Sequence, residues 1–475
     1  MDIHITLQGK TDLAGQIYRQ LRASIVDGRL AAGERLPSTR DLASQLSVSR
    51  KTTLDVFERL LSEGFLQSRP GDGTFVADGL QRIPVSSPIV HRARPTALWE
   101  SLPAALSMPE FGSTPPLDFL GGVTDKSRFP FEPWRRCLNH AQRQQARGRA
   151  AYHDPAGEQE LRLGISRYLA FNRAVTSNWQ DVIVTHGAQQ ALDLLARVTL
   201  NPGDVVAMEE PGYPPARACF TAAGAKVISV PVDAEGLRVD LLPKEARLVY
   251  VTPSHQFPLG MPLSLDRRLA LLEWAQNTGA AIIEDDYDGE FRFDGRPLES
   301  LKCLDRFGLV AYVGTFSKTM FPELRVGYIV PPLSLSAALL KAKQIVDWHS
   351  STFTQAAIAR FILDGDFAKH LRRIYKQYEA RRDLLLKHLN GPLGAWLEPV
   401  IPAAGIHLTA LLKQGLTESS VIAAASEQGV GLYGISSFYA DTEPRQGLLF
   451  GYGGISEEEI EIALNKLADV FRSLE

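Results

Sequence analysis

Apolar positions recur with two different periods along this chain, and the change of period separates two kinds of structure. Leu13, Ile17, Leu21 and Ile25 keep the four-residue spacing of one helical face, so residues 12–27 are expected to form an amphipathic helix. Ser38 stands three residues before Asp41, a capping box with Asp in place of Glu, and predicts a short helix ending near Leu46. Ser49 caps a third helix from Arg50 to about Glu63, which Gly64 ends. Residues 65–69 and 74–76 read as short strands around the turn Pro70-Gly71-Asp72-Gly73. Further along, the apolar runs are short and continuous: 182–185, 205–208, 248–252, 281–283 and 310–313. Such runs, separated by helical segments, indicate a mainly parallel sheet buried on both faces.

Composition sets the scale. The chain has 475 residues, 45% apolar and 22% charged, enough for a large core and too apolar for general disorder. At about 150 residues per domain the length allows roughly three domains. Residues 81–116 carry Pro84, Pro88, Pro95, Pro103, Pro109, Pro115 and Pro116, which disfavour a helix or a central strand. They predict a linker between a head at 12–80 and a body at 117–475. The start of the chain is polar and no apolar run reaches the ~18 residues of a membrane span, so a cytoplasmic protein without membrane contact is expected. Cys137, Cys219 and Cys303 lie far apart with no CxxC pair, which suggests neither a disulfide framework nor a metal site.

The net charge of −3 argues against a protein that coats nucleic acid by bulk charge. A local patch tells a different story. Arg35, Arg40, Arg50 and Lys51 face only Asp41 across residues 35–51. Helices joined by a short turn and followed by a hairpin have the layout of a winged helix-turn-helix. Arg50, Lys51 and Thr52 at the start of the third helix are residue types that contact phosphates and base edges, and Arg69 joins them on the hairpin. The competing reading is a protein-interaction module with a solvated charged face. The stretches 34–43, 48–52 and 71–76 together resemble, in order, the GntR-type DNA-binding domain. The resemblance implies that Arg35, Arg40, Arg50, Thr52 and Gly73 lie at the surface of double-stranded operator DNA.

The body's apolar runs end in His186-Gly187, Glu209-Glu210-Pro211, Pro253-Ser254-His255, Glu284-Asp285-Asp286 and Ser317-Lys318. In open α/β sheets ligands bind at the carboxyl ends of strands, so five ends converge on one site. A lysine in such a crevice, Lys318, loses hydration and offers the neutral amine that a carbonyl ligand needs for a Schiff base. Asp285 suits a protonated pyridine nitrogen and Tyr287 a ring oxygen. The alternative is a divalent-metal cluster of Glu284, Asp285, Asp286 and Asp288. Gly187, Ala188 and Gln189 open a helix whose free N–H groups suit a phosphate, with Thr315, Ser317 and Arg325 nearby in sequence.

Together these residues resemble a fold-type I aminotransferase, with pyridoxal 5′-phosphate as cofactor and a smaller C-terminal α+β subdomain. The resemblance implies Lys318 as the Schiff-base lysine, Asp285 on the pyridine nitrogen, Tyr287 on the 3-oxygen and Tyr213 stacked on the ring. It also implies Tyr152 reaching the phosphate across a dimer, with Arg445 and Arg217 as candidates for an effector carboxylate. One departure matters: Phe257 stands where aminotransferases have an asparagine bonding the 3-oxygen, and His255 is a candidate substitute. The head, the linker and the body in one chain resemble the MocR/GabR family of transcriptional regulators. That implies a homodimer, with a head-to-tail swap as one arrangement, sensing an amino compound or the cofactor itself through the aldimine at Lys318. A working aminotransferase with an accessory head, or a body reduced to dimerisation, are the competing functions.

Overall fold

The computed structural model describes residues 5–7, 9, 11–78, 93–102, 115–293, 299–402, 404–413 and 415–475. Most of the 81–116 linker therefore lies outside the described residues. The chain forms two compact units, Met1–Arg94 and Pro95–Glu475.

The first unit is built as its spacing predicts. Helices α1 (Leu13–Val26), α2 (Thr39–Gln45) and α3 (Arg50–Ser62) precede the antiparallel hairpin β1 (Leu66–Arg69) and β2 (Gly73–Val76). Ile17, Leu21, Leu42, Val56 and Leu60 are buried together in its core. Ser38 Oγ accepts from the Asp41 N–H at 3.2 Å and Ser49 Oγ from the Thr52 N–H at 3.1 Å, which closes the starts of α2 and α3. The buried Thr53 hydroxyl donates to the Thr39 carbonyl at 2.8 Å and fixes α3 against α2.

The second unit opens with a departure from the sequence reading. A single helical turn, α4 (Ala97–Ser101), forms inside the proline-rich stretch. The five residues contain no proline, so none of them blocks the turn. Strand β3 (Leu117–Asp118) and helices α5 (Phe131–Gln145) and α6 (Gln159–Arg173) follow.

The main sheet has eight strands: β4 (Ile183–Thr185), β5 (Val205–Glu210), β6 (Lys226–Asp233), β7 (Gly236–Leu237), β8 (Ala246–Val251), β9 (Ala281–Asp286), β10 (Val310–Thr315) and β11 (Gly327–Val330), in the order β4-β11-β10-β9-β8-β5-β6-β7. The five strands expected from apolar runs are present, and β5, β8, β9 and β10 are parallel neighbours. The pattern did not reveal β11, which runs antiparallel between β4 and β10, nor β6, whose pairing with β5 extends the sheet. β11 has only four residues, and β6 carries polar residues among its apolar ones, so neither stands out as an apolar run.

Both faces of the sheet are covered. Tyr312 and Val184 pack with Trp134, Leu161 and Ile358, while Ala311, Val313 and Ile283 pack with Leu192 and Leu195 of helix α7 (Gly187–Thr199). Alternate residues of one strand thus enter two different cores, as a doubly covered sheet requires. The smaller C-terminal part has a mainly antiparallel sheet of β12 (Leu397–Val400), β13 (His407–Leu412), β15 (Tyr433–Gly434) and β16 (Gly447–Gly451), while β14 (Val430–Gly431) pairs with β3. Helix Glu457–Leu474 closes it with a full capping box at Ser456.

Candidate cofactor site and DNA surface

Strand alternation decides where the four carboxylates after Ile283 point. Glu284 turns away and accepts the Leu301 and Lys302 N–H groups at 2.9 and 2.8 Å. Asp286 turns the same way, to Arg173 at 2.6 Å and the Tyr312 hydroxyl at 2.5 Å. Asp288 pairs with His255. Asp285 alone faces the site from this strand. The acidic run is therefore dispersed over separate partners, and the divalent-metal alternative fails on geometry.

Asp285 accepts from the Tyr250 hydroxyl at 2.8 Å through Oδ2, while its buried Oδ1 has no partner among the described residues. Burial pushes this carboxyl up to about 7. Lys318 follows β10, and its amine donates to the Gly122 carbonyl at 2.6 Å. Burial lowers its pKa, which favours the neutral amine, while Asp288 and Asp285 oppose that effect. Tyr213 is largely enclosed, and burial pushes its phenol up to about 12. Its ring meets Phe257 edge-on at 5.4 Å, and Phe257 in turn meets Phe438 at 4.9 Å. The position that lacks an amide is thus part of an aromatic wall.

The turn at the start of α7 is tight. Gly187 has φ 69°, and a Cβ there would stand 2.8 Å from Arg325 Nη2. Arg325, itself at φ 51°, reaches the His186 carbonyl at 3.4 Å and is otherwise exposed. A non-glycine residue held at positive φ beside a helix start is the kind of strain that accompanies ligand sites. The first turn of α7 has no side-chain cap, and its N–H groups suit an anion. Thr315 Oγ1 donates to Ser317 Oγ at 3.0 Å and accepts the Ser317 N–H at 3.1 Å. Ala188 is half-buried, and exposed Gln189 donates to the Pro215 carbonyl at 3.1 Å.

The other expected residues divide. Tyr287 donates its hydroxyl to the His255 carbonyl at 2.8 Å, and His255 lies behind it, buried, rather than in the place of Phe257. Tyr152 is 76% exposed and packs at a tilt against Trp348, with ring centroids 4.6 Å apart. Arg217 is engaged by Ser229 at 2.6 Å, Glu210 at 3.4 Å and Asp441 at 3.8 Å. Arg445 is exposed and forms no ion pair among the described residues. Sequence reasoning did not single out Gly122, Tyr250 or His407. The pair Gly121-Gly122 was the one local signal of close backbone approach.

In the head, Arg40, Arg50 and Lys51 are exposed with no ion pair among the described residues. Arg35 forms a backbone bridge with Phe75, and a Cβ on Gly73 would stand 3.1 Å from Arg35 Nε, so the two lie together at the hairpin. Arg69 covers the Phe75 ring at 4.4 Å and lies 3.8 Å from Asp78. The Thr52 hydroxyl is 2.8 Å from Ser49 Oγ, so it also serves the cap.

Comparison with known proteins agrees with both halves. The family model of bacterial regulatory proteins of the gntR family matches residues 13–76, and that of class I and II aminotransferases matches residues 123–467. The chain is 37% identical to the probable rhizopine catabolism regulatory protein MocR of Rhizobium meliloti, over 97% of this chain and 94% of that one. The chain belongs to the MocR/GabR family of transcriptional regulators. As a MocR/GabR-family protein it is also 30% identical to the pyridoxine biosynthesis transcriptional regulator PdxR of Corynebacterium glutamicum, over 97% of this chain and 96% of that one. Its body is similar to the kynurenine aminotransferase of Pyrococcus horikoshii, with TM-score 0.69 and 30% identity over 75% of this chain and 91% of that one. This MocR/GabR-family chain is a DNA-binding transcriptional regulator whose body takes pyridoxal 5′-phosphate. The residues present fit that cofactor. A buried carboxylate oxygen with no partner among the described residues, an uncapped helix start beside an arginine and a half-buried lysine converge on one crevice.

Proposed function

We propose that this regulator senses a small amino compound, or the cofactor itself, at Lys318, and passes the state of that site to the DNA-binding head. Pyridoxal phosphate supplies an aldehyde that condenses reversibly with a primary amine, either that of Lys318 or that of an effector. The protein supplies the rest. Asp285 Oδ1 is the acceptor for the pyridine nitrogen, while Tyr250 fixes the carboxylate by donating to its other oxygen, Oδ2. The start of α7 with Arg325, Thr315 and Ser317 takes the phosphate. Tyr213 and Phe257 enclose the ring and exclude water. Tyr287 addresses the 3-oxygen.

The observation that carries this reading is Lys318: a half-buried amine, its pKa lowered by burial, just after the strand that neighbours the one carrying Asp285. The exposed Tyr152–Trp348 pair supports a homodimer in which this surface is covered. Arg445, free of ion pairs among the described residues, is favoured over Arg217 for an effector carboxylate. The exposed basic residues of α2 and α3 support operator binding by the head in the cytoplasm. Phe257 disfavours a working aminotransferase, because an apolar ring gives no hydrogen bond to the ring oxygen.

The test uses the full chain. The purified protein should absorb visible light with pyridoxal phosphate, and a titrated effector amine should change both that absorbance and operator binding. Lys318→Ala should lose the band and the effector response while keeping basal operator binding. A Lys318→Ala protein with full effector-dependent DNA binding would sink the sensing mechanism. Steady turnover with an amino acid and a 2-oxo acid would favour the enzyme instead.

A further inference from the structure

Behind the cofactor site lies a buried cluster that the function above does not use: Asp288, His255 and His407. His255 is 1% exposed and Asp288 0%. His255 Nδ1 lies 3.0 and 3.1 Å from the two Asp288 oxygens, so the ring is held by both. Asp288 Oδ2 also accepts the Ile406 N–H at 3.2 Å, which anchors it to the chain just before β13. The His407 ring packs against His255 at a tilt of 35°, with centroids 4.3 Å apart. Burying a carboxylate and an imidazole together is costly unless each is satisfied, so the arrangement requires a reason.

The backbone is shaped to admit it. Gly405 sits at φ 96°, and a Cβ there would overlap the His255 ring and stand 2.7 Å from Asp288 Oδ2. Gly260 sits at φ 98°, and a Cβ there would stand 3.3 Å from His255 Nε2. Two glycines in the left-handed region thus clear the space for one imidazole.

The backbone carbonyl of His255 and its ring Nδ1 then face Tyr287. The Tyr287 hydroxyl donates to the His255 carbonyl at 2.8 Å and lies 3.2 Å from Nδ1. Phe257 offers no hydrogen bond, so Tyr287 alone addresses the ring oxygen in the reading above. Anything that fixes Tyr287 therefore matters more here than where an asparagine shares the task.

We propose, resting on that reading of Lys318, that Asp288 and His255 form a positioning pair that holds the Tyr287 hydroxyl in place at the cofactor site. The groups that act on the Lys318 amine are Asp285 and Asp288 from the end of β9, Arg325 from the turn before β11 and His407 from β13. After burial, Asp288 is the strongest influence on it and raises its proton affinity, ahead of Asp285, while Arg325 opposes both. Burial keeps His407 well below the ordinary imidazole range, so it adds bulk beside the pair rather than charge. The pair joins the strand end that carries Asp285 to the small-domain segment that carries Ile406.

The experiment is a pH titration of visible absorbance on the full-length, cofactor-loaded protein, with cofactor release and melting followed in parallel. Asp288→Asn should move the absorbance midpoint to lower pH by about one unit or more, because it removes an opposite charge from a buried cation. Asp288→Glu should bring the midpoint back toward that of the parent. His255→Gln should leave the midpoint closer to the parent yet release the cofactor about tenfold faster, because the ring contact to Asp288 that anchors residue 255, and with it the backbone carbonyl that Tyr287 donates to, is lost. A purely structural role would lower the melting temperature and leave the midpoint unmoved. Parental midpoints in Asp288→Asn, with parental cofactor release in His255→Gln, would overturn the proposal. If Asp288→Asn fails to fold, Asp288→Glu and His255→Gln decide it through the midpoint and the release rate. A parent protein with no visible band at all would instead overturn the assignment of Lys318, and the pair's role with it.

Discussion

The Tyr250 hydroxyl donates to one oxygen of Asp285 at 2.8 Å and leaves the other oxygen buried with no partner among the described residues. A half-satisfied buried carboxylate is costly without a ligand and favourable with a cationic one. Asp285→Asn should therefore stabilise the cofactor-free protein at pH 8 and weaken its hold on pyridoxal phosphate. Calorimetry of the cofactor-free form and a cofactor titration check the two halves. A variant less stable than the parent at pH 8 would contradict the cost assigned to Asp285.

The same carboxyl gives a pH dependence, and two others share it. Burial pushes Glu209, Asp285 and Glu290 each up to about 7. Each binds its proton more tightly in the folded chain than in the unfolded one. Their contribution to stability is present below the ordinary carboxyl range and is lost as the pH rises through about 7. The cofactor-free protein should melt at a lower temperature at pH 8 than at pH 5.5. Cofactor should narrow that gap, because it supplies a positive partner to Asp285. Equal melting temperatures across that range would show that these groups are not desolvated in solution.

On the head, Arg50 and Lys51 are exposed at the start of α3 without ion pairs among the described residues. Arg50→Ala and Lys51→Ala should weaken operator binding and each reduce the slope of log affinity against log salt by about 1, if each contacts one phosphate. A loss confined to one base position, with the slope unchanged, would reassign that residue to base readout. Ser49→Ala acts differently: it removes the cap of α3 and should cost the head about 1 kcal/mol, read as a lower melting temperature.

What the sequence made legible follows from how local each signal is. The helix caps at Ser38 and Ser49 are interactions over three residues and both hydroxyls accept as expected, but the box at Ser38 is not completed, because the Asp41 carboxylate accepts the Ser38 hydroxyl at 2.7 Å instead. The strand ends at Asp285 and Lys318 follow short, uninterrupted apolar runs, so the crevice was visible before the fold. The partners of these residues were not. Tyr250 is 35 residues from Asp285 and Gly122 is 196 from Lys318, and nothing in local patterning links them. Strand β11 escaped because four residues carry too little periodicity, and α4 because prolines on either side masked one proline-free turn. His255 was read as a stand-in for a missing amide. The sequence places it near Phe257 but says nothing of Asp288, 33 residues away, which turns the ring toward itself.

Glu210 and Arg217 separate two roles for arginine. Glu210 accepts the N–H groups of Ala440, Asp441 and Thr442 at 2.7, 2.8 and 3.2 Å, and Arg217 balances its charge. Arg217→Ala should leave that buried carboxylate less compensated and lower the melting temperature, with a small effect on effector affinity. Arg445→Ala should do the reverse, with effector affinity down about tenfold or more and melting unchanged. Titration of an effector amine against operator binding reads the first effect, and calorimetry the second. The opposite assignment of the two arginines would be clear from the same pair of measurements.

Gly187 and Arg325 allow a sharper test of the phosphate cradle. Gly187→Ala places a Cβ 2.8 Å from Arg325 Nη2, in a backbone conformation at φ 69° that alanine adopts at a cost of roughly 1–2 kcal/mol. Cofactor affinity should fall about tenfold or more, while operator binding by the cofactor-free head stays at the parental level. Part of that loss is backbone strain and part is displacement of Arg325, and a double-mutant cycle separates them. In an Arg325→Ala background the clash is gone and the strain remains. Gly187→Ala should then cost less cofactor affinity than it does in the parent. Equal costs in the two backgrounds would mean that Arg325 does not share the phosphate site with the start of α7.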